Sequence, residues 1–281
     1  MKIELAEAQV TDSSSQDLAD KLSVRRVMVL GEGAVFVILL IIGAFTTRRA
    51  FLKEVELSNQ QKNFLMSVSH ELKSPISAIK LNLQTLKKHD LDEAKSEALL
   101  SASVKDADRL VGLVDNIMLA TDIESGDFPL KMETLNLSEL ISTCVTHMGV
   151  RDLNSIAMDL EADMQVEGDE QAMISICSNL VENALKYSDV DAVVSVSLSR
   201  EDGKVCLAVA DQGMGIAVDD RDKIFDKFFR GGNEATRKTR GTGLGLFIVQ
   251  HLTAKQNGSI AIKSNHPKGS IFEVLFDEYI S

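Results

Sequence analysis

Twenty residues, Val27 to Thr46 ("VMVLGEGAVFVILLIIGAFT"), carry a single charge, Glu32. At 1.5 Å rise per residue such a run just crosses the hydrocarbon core of a bilayer, so it restricts the chain to folds that tolerate one apolar rod. Arg48, Arg49 and Lys53 follow at once and mark that end as cytoplasmic, although Lys21, Arg25 and Arg26 on the other side weaken the asymmetry. A cleaved leader would start nearer the terminus and would not be followed by a stop-transfer arginine pair. A buried core helix passes the same length test. The reading adopted is one membrane span over 27–46, preceded by a polar, acidic segment over 1–26 that is extracytoplasmic and poorly ordered over its first 20 residues.

The remaining length suits two compact domains. Phe64, Val68, Leu72, Ile76, Ile79, Leu83 and Leu86 recur every three or four residues and cover an arc of roughly 120°, the width of a core-facing stripe on a helix. A break at His89–Asp92 precedes a second amphipathic helix over about 93–121, with Leu100, Val104, Ala107, Val111, Val114 and Met118 on one side. Two antiparallel helices cannot bury both stripes alone, and the economical solution is a four-helix bundle made by two chains, hence a homodimer. This linker and hairpin occupy 47–125. After Ser125–Pro129, strand-like runs (192–200, 204–210, 259–263, 270–276) alternate with helical ones (138–148, 170–187, 244–255). An α+β domain over 130–281 follows, a mostly antiparallel sheet with helices on one face.

Composition narrows the function. A net charge of -12 offers no broad basic face for phosphate backbones, which excludes a nucleic-acid binder. Cys144, Cys177 and Cys206 are widely spaced and odd in number, so they form neither a disulfide framework nor a zinc site and are expected as reduced, mostly buried thiols.

The chemistry gathers in five stretches. "SHELKSP" places His70 roughly 175° from the centre of the hydrophobic stripe, hence in solvent, with Glu71 adjacent and Ser74 one turn on along the same face. Exposure alone leaves open a surface histidine without function. Glu71 is suited to hold or deprotonate the imidazole, and Pro75 is expected to kink the helix at that turn, at a cost of about 3 kcal/mol. "NLVENALKY" sets Asn179, Asn183 and Lys186 on one helix face, where amide oxygens and an ammonium suit magnesium and phosphates, although a solvated polar face gives the same pattern. "DQGMGI" puts Asp211, Gly213 and Gly215 directly after a strand, and "GTGLGL" opens a helix whose free N–H groups suit phosphate oxygens. The latter is neither a Walker loop nor the dinucleotide G-x-G-x-x-G pattern.

In this order, with "IFDKFFR" between the glycine runs, the motifs resemble the transmembrane sensor histidine kinases of two-component signalling, over roughly Phe51 to the C-terminus. The resemblance implies a membrane span, a dimeric helical hairpin forming a four-helix bundle, and an α+β sandwich that binds ATP. It implies His70 as phosphoacceptor, Glu71 as its hydrogen-bonding base and Asn183 as magnesium ligand. Asn179 and Lys186 would lie near the phosphates, Tyr187 beside the nucleotide, and Asp211 on the adenine amino group. Gly213, Gly215 and the run Gly241, Thr242, Gly243, Leu244 and Gly245 would shape the ends of a lid over about 217–240. In that lid Phe225, Phe228 and Phe229 act as apolar clasps, with Phe228 at the nucleotide, and the tip "RGGNEATRKTRG" is basic.

The implied cofactors are ATP and Mg2+. The implied partner is a response regulator whose aspartate receives the phosphoryl group, and the implied location is the inner membrane, single-pass, with the kinase domains in the cytoplasm. Two features depart from the family pattern. Ser74 stands where a phosphatase motif has Thr or Asn, and one span is present where two usually flank a sensor. That leaves open a truncated kinase, or one that senses through the membrane or a partner. Rival readings are a membrane-bound ATP-binding scaffold and a gyrase- or chaperone-like ATPase, the latter needing a carboxylate where Asn179 stands.

Overall fold

The computed structural model describes residues 2–126, 128–148, 156–189, 192–201, 203–230 and 241–279. The chain divides into two units, Met1–Asn59 and Gln60–Ser281. A single helix, α1, runs Lys2–Lys88. The segment expected to be poorly ordered is helical from Lys2, consistent with a run of Ala, Glu, Leu and Lys that holds no Gly or Pro before Gly31. Among the described residues α1 carries one stretch, beginning at Val35, long and apolar enough to cross a membrane. Its Val35, Phe36, Leu39 and Ile41 are 58–63% exposed, whereas a soluble core helix would have them covered.

In the second unit α1 continues unbroken through Pro75. The expected kink does not interrupt the helix: the proline is buried, and apolar contact is set against its lost backbone bond. After the turn, Asp92 caps α2 (Glu93–Ser125) by accepting from Lys95 N at 2.8 Å, and Gly126 ends it in the left-handed region at φ 78°. Among the side-chain contacts between the helices, Arg109 donates to Glu71 at 2.9 Å, and Asn82 Nδ2 to Ser103 Oγ at 3.3 Å. They fix an antiparallel hairpin. The stripe read from α2 remains uncovered, with Leu100, Val104, Val111, Val114 and Met118 at 45–60% exposure.

The rest is an α+β domain. A two-stranded antiparallel ladder pairs β1 (Glu133–Asn136) with β3 (Gln165–Gly168). A five-stranded sheet has the order β2-β4-β5-β7-β6, built from β2 (Ile156–Leu160), β4 (Val194–Glu201), β5 (Lys204–Ala210), β6 (Ser259–Ser264) and β7 (Ser270–Asp277). Every pairing is antiparallel except β2 with β4, which is parallel. The sheet is therefore mixed at one edge, and β1, β2 and β3 are strands that the patterning did not reveal. Helices α3 (Leu137–Met148), α4 (Glu170–Tyr187) and α5 (Gly245–Lys255) cover one face. The core forms where alternate strand residues (Val194, Val196, Leu198; Val205, Leu207, Val209; Phe272, Val274, Phe276) meet Ile141, Ile176, Leu180, Ile248 and Leu252.

Candidate active site

Helix α4 supplies one wall. Asp169 caps it through Ala172 N at 2.9 Å, which fixes the register that sends Asn179, Asn183 and Lys186 to one side. Asn179 is buried and its amide is pinned by Nδ2 donating to Ser175 O at 2.9 Å. Asn183 is half-buried, and among the described residues its amide has no hydrogen-bond partner.

The glycine run closes onto that wall. A Cβ placed on Gly245 would lie 2.7 Å from Asn179 Oδ1, and one on Gly241 would collide with Lys186 Nζ. Only glycine lets the backbone come this near. Gly243 has φ 73°, and its carbonyl accepts from Phe228 N at 3.0 Å. Leu244, at the N-cap of α5, makes no side-chain capping bond, so the first N–H groups of the helix are left to meet an anion.

The opposite wall is the end of β5. Asp211 is 5% exposed, and burial pushes its carboxyl above the ordinary range, against the N–H of Gly213, which donates to Oδ1 at 2.8 Å. A Cβ on Gly213 would run into Tyr187 O, and Gln212 N donates to Ser188 Oγ at 3.3 Å. The aspartate loop is thereby seated under the C-terminal end of α4. These contacts set the Gly241–Gly245 run against Asn179 and Lys186, and the Asp211–Gly213 turn against Tyr187, along α4.

The hairpin residues are disposed differently. His70 is exposed, and among the described residues it has no hydrogen-bond partner. Glu71 does not reach the imidazole; its side chain, 10% exposed, turns between the helices to Arg109. Adjacent residues on a helix point about 100° apart, and a cation on α2 holds the carboxylate on the inner side. Ser74 is half-buried beside them. The Arg109 guanidinium also bears on Glu182 of α4, whose carboxyl is raised by desolvation and pulled back by Arg109 and Lys186.

Sequence reasoning missed how the lid root meets the hairpin. Phe228, expected at the nucleotide, stacks its ring on Phe64 with centroids 4.1 Å apart, while its backbone lies against Gly243, to whose carbonyl its N–H donates. Arg230 donates to Ser67 Oγ at 2.6 Å, three residues before His70, and Lys227 pairs with Glu124 at 2.6 Å. Phe225 is buried as a clasp. The lid tip lies at 231–240, outside the described residues. No local pattern announces these contacts, since each joins residues more than 100 positions apart in sequence.

Hard amide oxygens suit Mg2+, which keeps several waters and needs few protein ligands; the unpartnered Asn183 amide beside Asn179 fits that demand. Among the described residues no group of three His, Cys, Asp or Glu forms an all-protein metal cage.

Comparison with known proteins agrees with this geometry. The His Kinase A (phospho-acceptor) domain matches residues 60–126, and the histidine kinase-, DNA gyrase B- and HSP90-like ATPase domain matches residues 168–280. The sensor-like histidine kinase SenX3 of Mycolicibacterium smegmatis is 32% identical over 222 residues, covering 78% of this chain and 58% of that protein. The signal transduction histidine-protein kinase ArlS of Staphylococcus aureus is 28% identical over 238 residues, 82% of this chain and 52% of that protein. The chain spans little more than half the length of these curated relatives. The Acinetobacter baumannii histidine kinase AdeS shares the fold with a TM-score of 0.52 at 23% identity, over 75% of this chain and 98% of that one. ShkA in complex with AMPPNP does so with a TM-score of 0.54 at 23% identity, over 79% and 46%. A phosphoacceptor hairpin joined to an ATP-binding domain defines the class, and the chain belongs to the sensor histidine kinases of two-component signalling.

Proposed function

We propose that the chain phosphorylates its own His70 from Mg·ATP and passes the phosphoryl group to an aspartate of a response regulator. The observation that carries this reading is the meeting of Gly241 and Gly245 with Lys186 and Asn179, a polyphosphate cradle in the same chain as an exposed, unpartnered histidine. The uncapped start of α5 and Lys186 would hold the phosphate oxygens, Asp211 the adenine amino group, and Asn183 a magnesium ion. That ion would draw charge from the β- and γ-phosphates. A ring nitrogen of His70 attacks phosphorus in line, the bond to the β-phosphate oxygen breaks, and ADP leaves. Catalysis rests on positioning and charge neutralisation. With Glu71 held by Arg109, base assistance requires that pair to open.

The uncovered stripe on α2 supports a homodimer through a four-helix bundle, and the exposed apolar stretch of α1 supports a single membrane span with the kinase domains in the cytoplasm. Ser74 is the residue proposed to orient water in the reverse reaction, dephosphorylation of the regulator. A gyrase-like hydrolase is disfavoured because the residue against Gly245 is an amide, which cannot act as base.

Labelled ATP tests the reading. Acid-labile, base-stable label is expected on the wild-type chain and absent from His70→Gln and Asn183→Ala. Steady phosphate release without label would favour a hydrolase, and neither signal would favour a scaffold. A monomeric mass by light scattering in detergent would refute the dimer. Unchanged regulator dephosphorylation in Ser74→Ala would remove the role given to that serine.

A further inference from the structure

Strands β6 and β7 run antiparallel with Ser264 opposite Ser270, and the turn between them, residues 265–269, meets the Asp211 loop. Asn265 N donates to Gly269 O at 3.0 Å and closes the turn. Both peptide groups of Asp211 are bound at its base: Asp211 N donates to Ser270 O at 2.9 Å, and Asp211 O accepts from Asn265 Nδ2 at 2.7 Å. Gly269 stands at φ 112°, where an added Cβ would collide with Asp211 O, so the two backbones are in close contact. Asn265 is half-buried and its amide has one orientation. His266 N donates to its Oδ1 at 2.9 Å, which leaves Nδ2 as the donor toward Asp211.

We propose that Asn265 is a positioning residue for recognition of the adenine base, a role that rests on Asp211 receiving the adenine amino group, as proposed above. Asn265 acts through Asp211 and not on the nucleotide, since its amide is already engaged by Asp211 O and His266 N. A side chain leaves the backbone at Cα. An aspartate whose N–H and carbonyl are both held therefore has only its two side-chain torsions left to set, and Gly213 N fixes those by donating to Oδ1 at 2.8 Å. Recognition of one amino group needs the carboxyl placed to within about 0.5 Å. Without the Asn265 donor, the carbonyl of this 5% exposed residue either stays short of a partner or turns to find another, and turning moves the carboxyl.

The turn is itself anchored on the far side of the Asp211 loop, where Arg221 Nη2 donates to Ser264 Oγ at 2.7 Å. Its tip makes a different kind of contact. Lys268 pairs with Asp189, and with both side chains more than half exposed that ion pair contributes little. One turn thus offers a side chain bound to Asp211 and another, three residues on, that is not.

The test uses the full chain in detergent with Mg2+, in a His70→Gln background. It titrates ATP and purine riboside triphosphate, which carries hydrogen in place of the amino group. The parent is expected to bind ATP about tenfold more tightly than the analogue. Asn265→Ala is expected to weaken ATP about five- to tenfold and to leave the analogue within about twofold, while Lys268→Ala changes neither. With Asp211→Asn already in place, adding Asn265→Ala should cost no further discrimination. Urea unfolding reports whether Asn265→Ala folds. If it does not, Asn265→Asp, which keeps Oδ1 for His266 N and removes the donor, carries the same expectation. An equal loss for both nucleotides would make Asn265 merely structural and overturn the proposal, as would additive losses in the double variant. A parent that discriminates while Asn265→Ala matches it refutes the positioning role alone. A parent that binds ATP and the analogue equally refutes the adenine role of Asp211, and the role of Asn265 with it.

Discussion

Replacing Gly245 with alanine sets two ordinary effects against each other. At an open helical position, glycine to alanine stabilises by about 1 kcal/mol through backbone entropy. Here the new Cβ would sit 2.7 Å from Asn179 Oδ1. Carbon and oxygen rest at about 3.3–3.6 Å, so roughly 0.6–0.9 Å must be found. Asn179 cannot supply it by swinging away, because it is 8% exposed and its Nδ2 is bound to Ser175 O at 2.9 Å. Overpacking of this kind costs about 1–3 kcal/mol, which leaves a net loss of about 0–2 kcal/mol in fold stability. The cradle suffers more directly, since the same displacement parts the start of α5 from the α4 amides. A loss of about 1.4–3 kcal/mol in binding is a tenfold or greater fall in ATP affinity. Gly112→Ala in α2 is the control: a Cβ added there meets nothing within 4 Å, and the variant should gain about 1 kcal/mol. Calorimetry with ATP in a His70→Gln background and urea unfolding measure the two quantities. If Gly245→Ala bound ATP like its parent and gained stability as Gly112→Ala does, the steric reasoning would be wrong.

Two further expectations concern charge. Arg109→Ala strands the Glu71 carboxylate between the helices; because Arg109 is half exposed, the cost is discounted to about 1–3 kcal/mol in urea unfolding, and adding Glu71→Gln should return most of it. Equal stability of Arg109→Ala and its parent would show that the pair does not hold the hairpin. For Asp211, the folded pKa is raised above 3.8, so the folded state binds its proton more tightly than the unfolded state does. Its contribution is therefore fully present at pH below about 3.8 and is lost as pH rises through the folded value. Asp211→Asn should raise Tm at neutral pH, with the gain fading in acid, while adenine recognition weakens; a gain that persists unchanged at pH 3 would contradict the burial argument.

Much of the architecture was legible because its signals are local. Helix α4 and strand β5 begin and end at the residues expected, since a capping Asp169 and a closing Ser188 bracket the one, and Gly203 and Asp211 the other. Strands β1 and β3 span four residues each and β2 five, too short for alternation to rise above chance. A helical wheel gives the direction of a side chain but not what it meets. His70 was correctly placed in solvent, yet Glu71 found Arg109, 38 residues on, instead of its neighbour. Phe64 likewise met Phe228, a pairing that no local pattern announces. Gly213, Gly241 and Gly245 stood out by their spacing, and each lies where an added Cβ would meet Tyr187, Lys186 or Asn179. The lid-to-hairpin contacts did not, because Ser67, Glu124 and Lys227 are ordinary surface residue types.

Phe228 holds φ at 69°, in a region that a bulky side chain enters at a cost of about 1–3 kcal/mol. Against that stand a ring stack worth about 0.5–1.5 kcal/mol and one backbone hydrogen bond worth about 1 kcal/mol. The opposing quantities nearly cancel. The net grip of the lid root therefore comes from Lys227 on Glu124 and Arg230 on Ser67, and a released conformation a few kcal/mol away would be populated at about 0.1–10% before any ligand arrives.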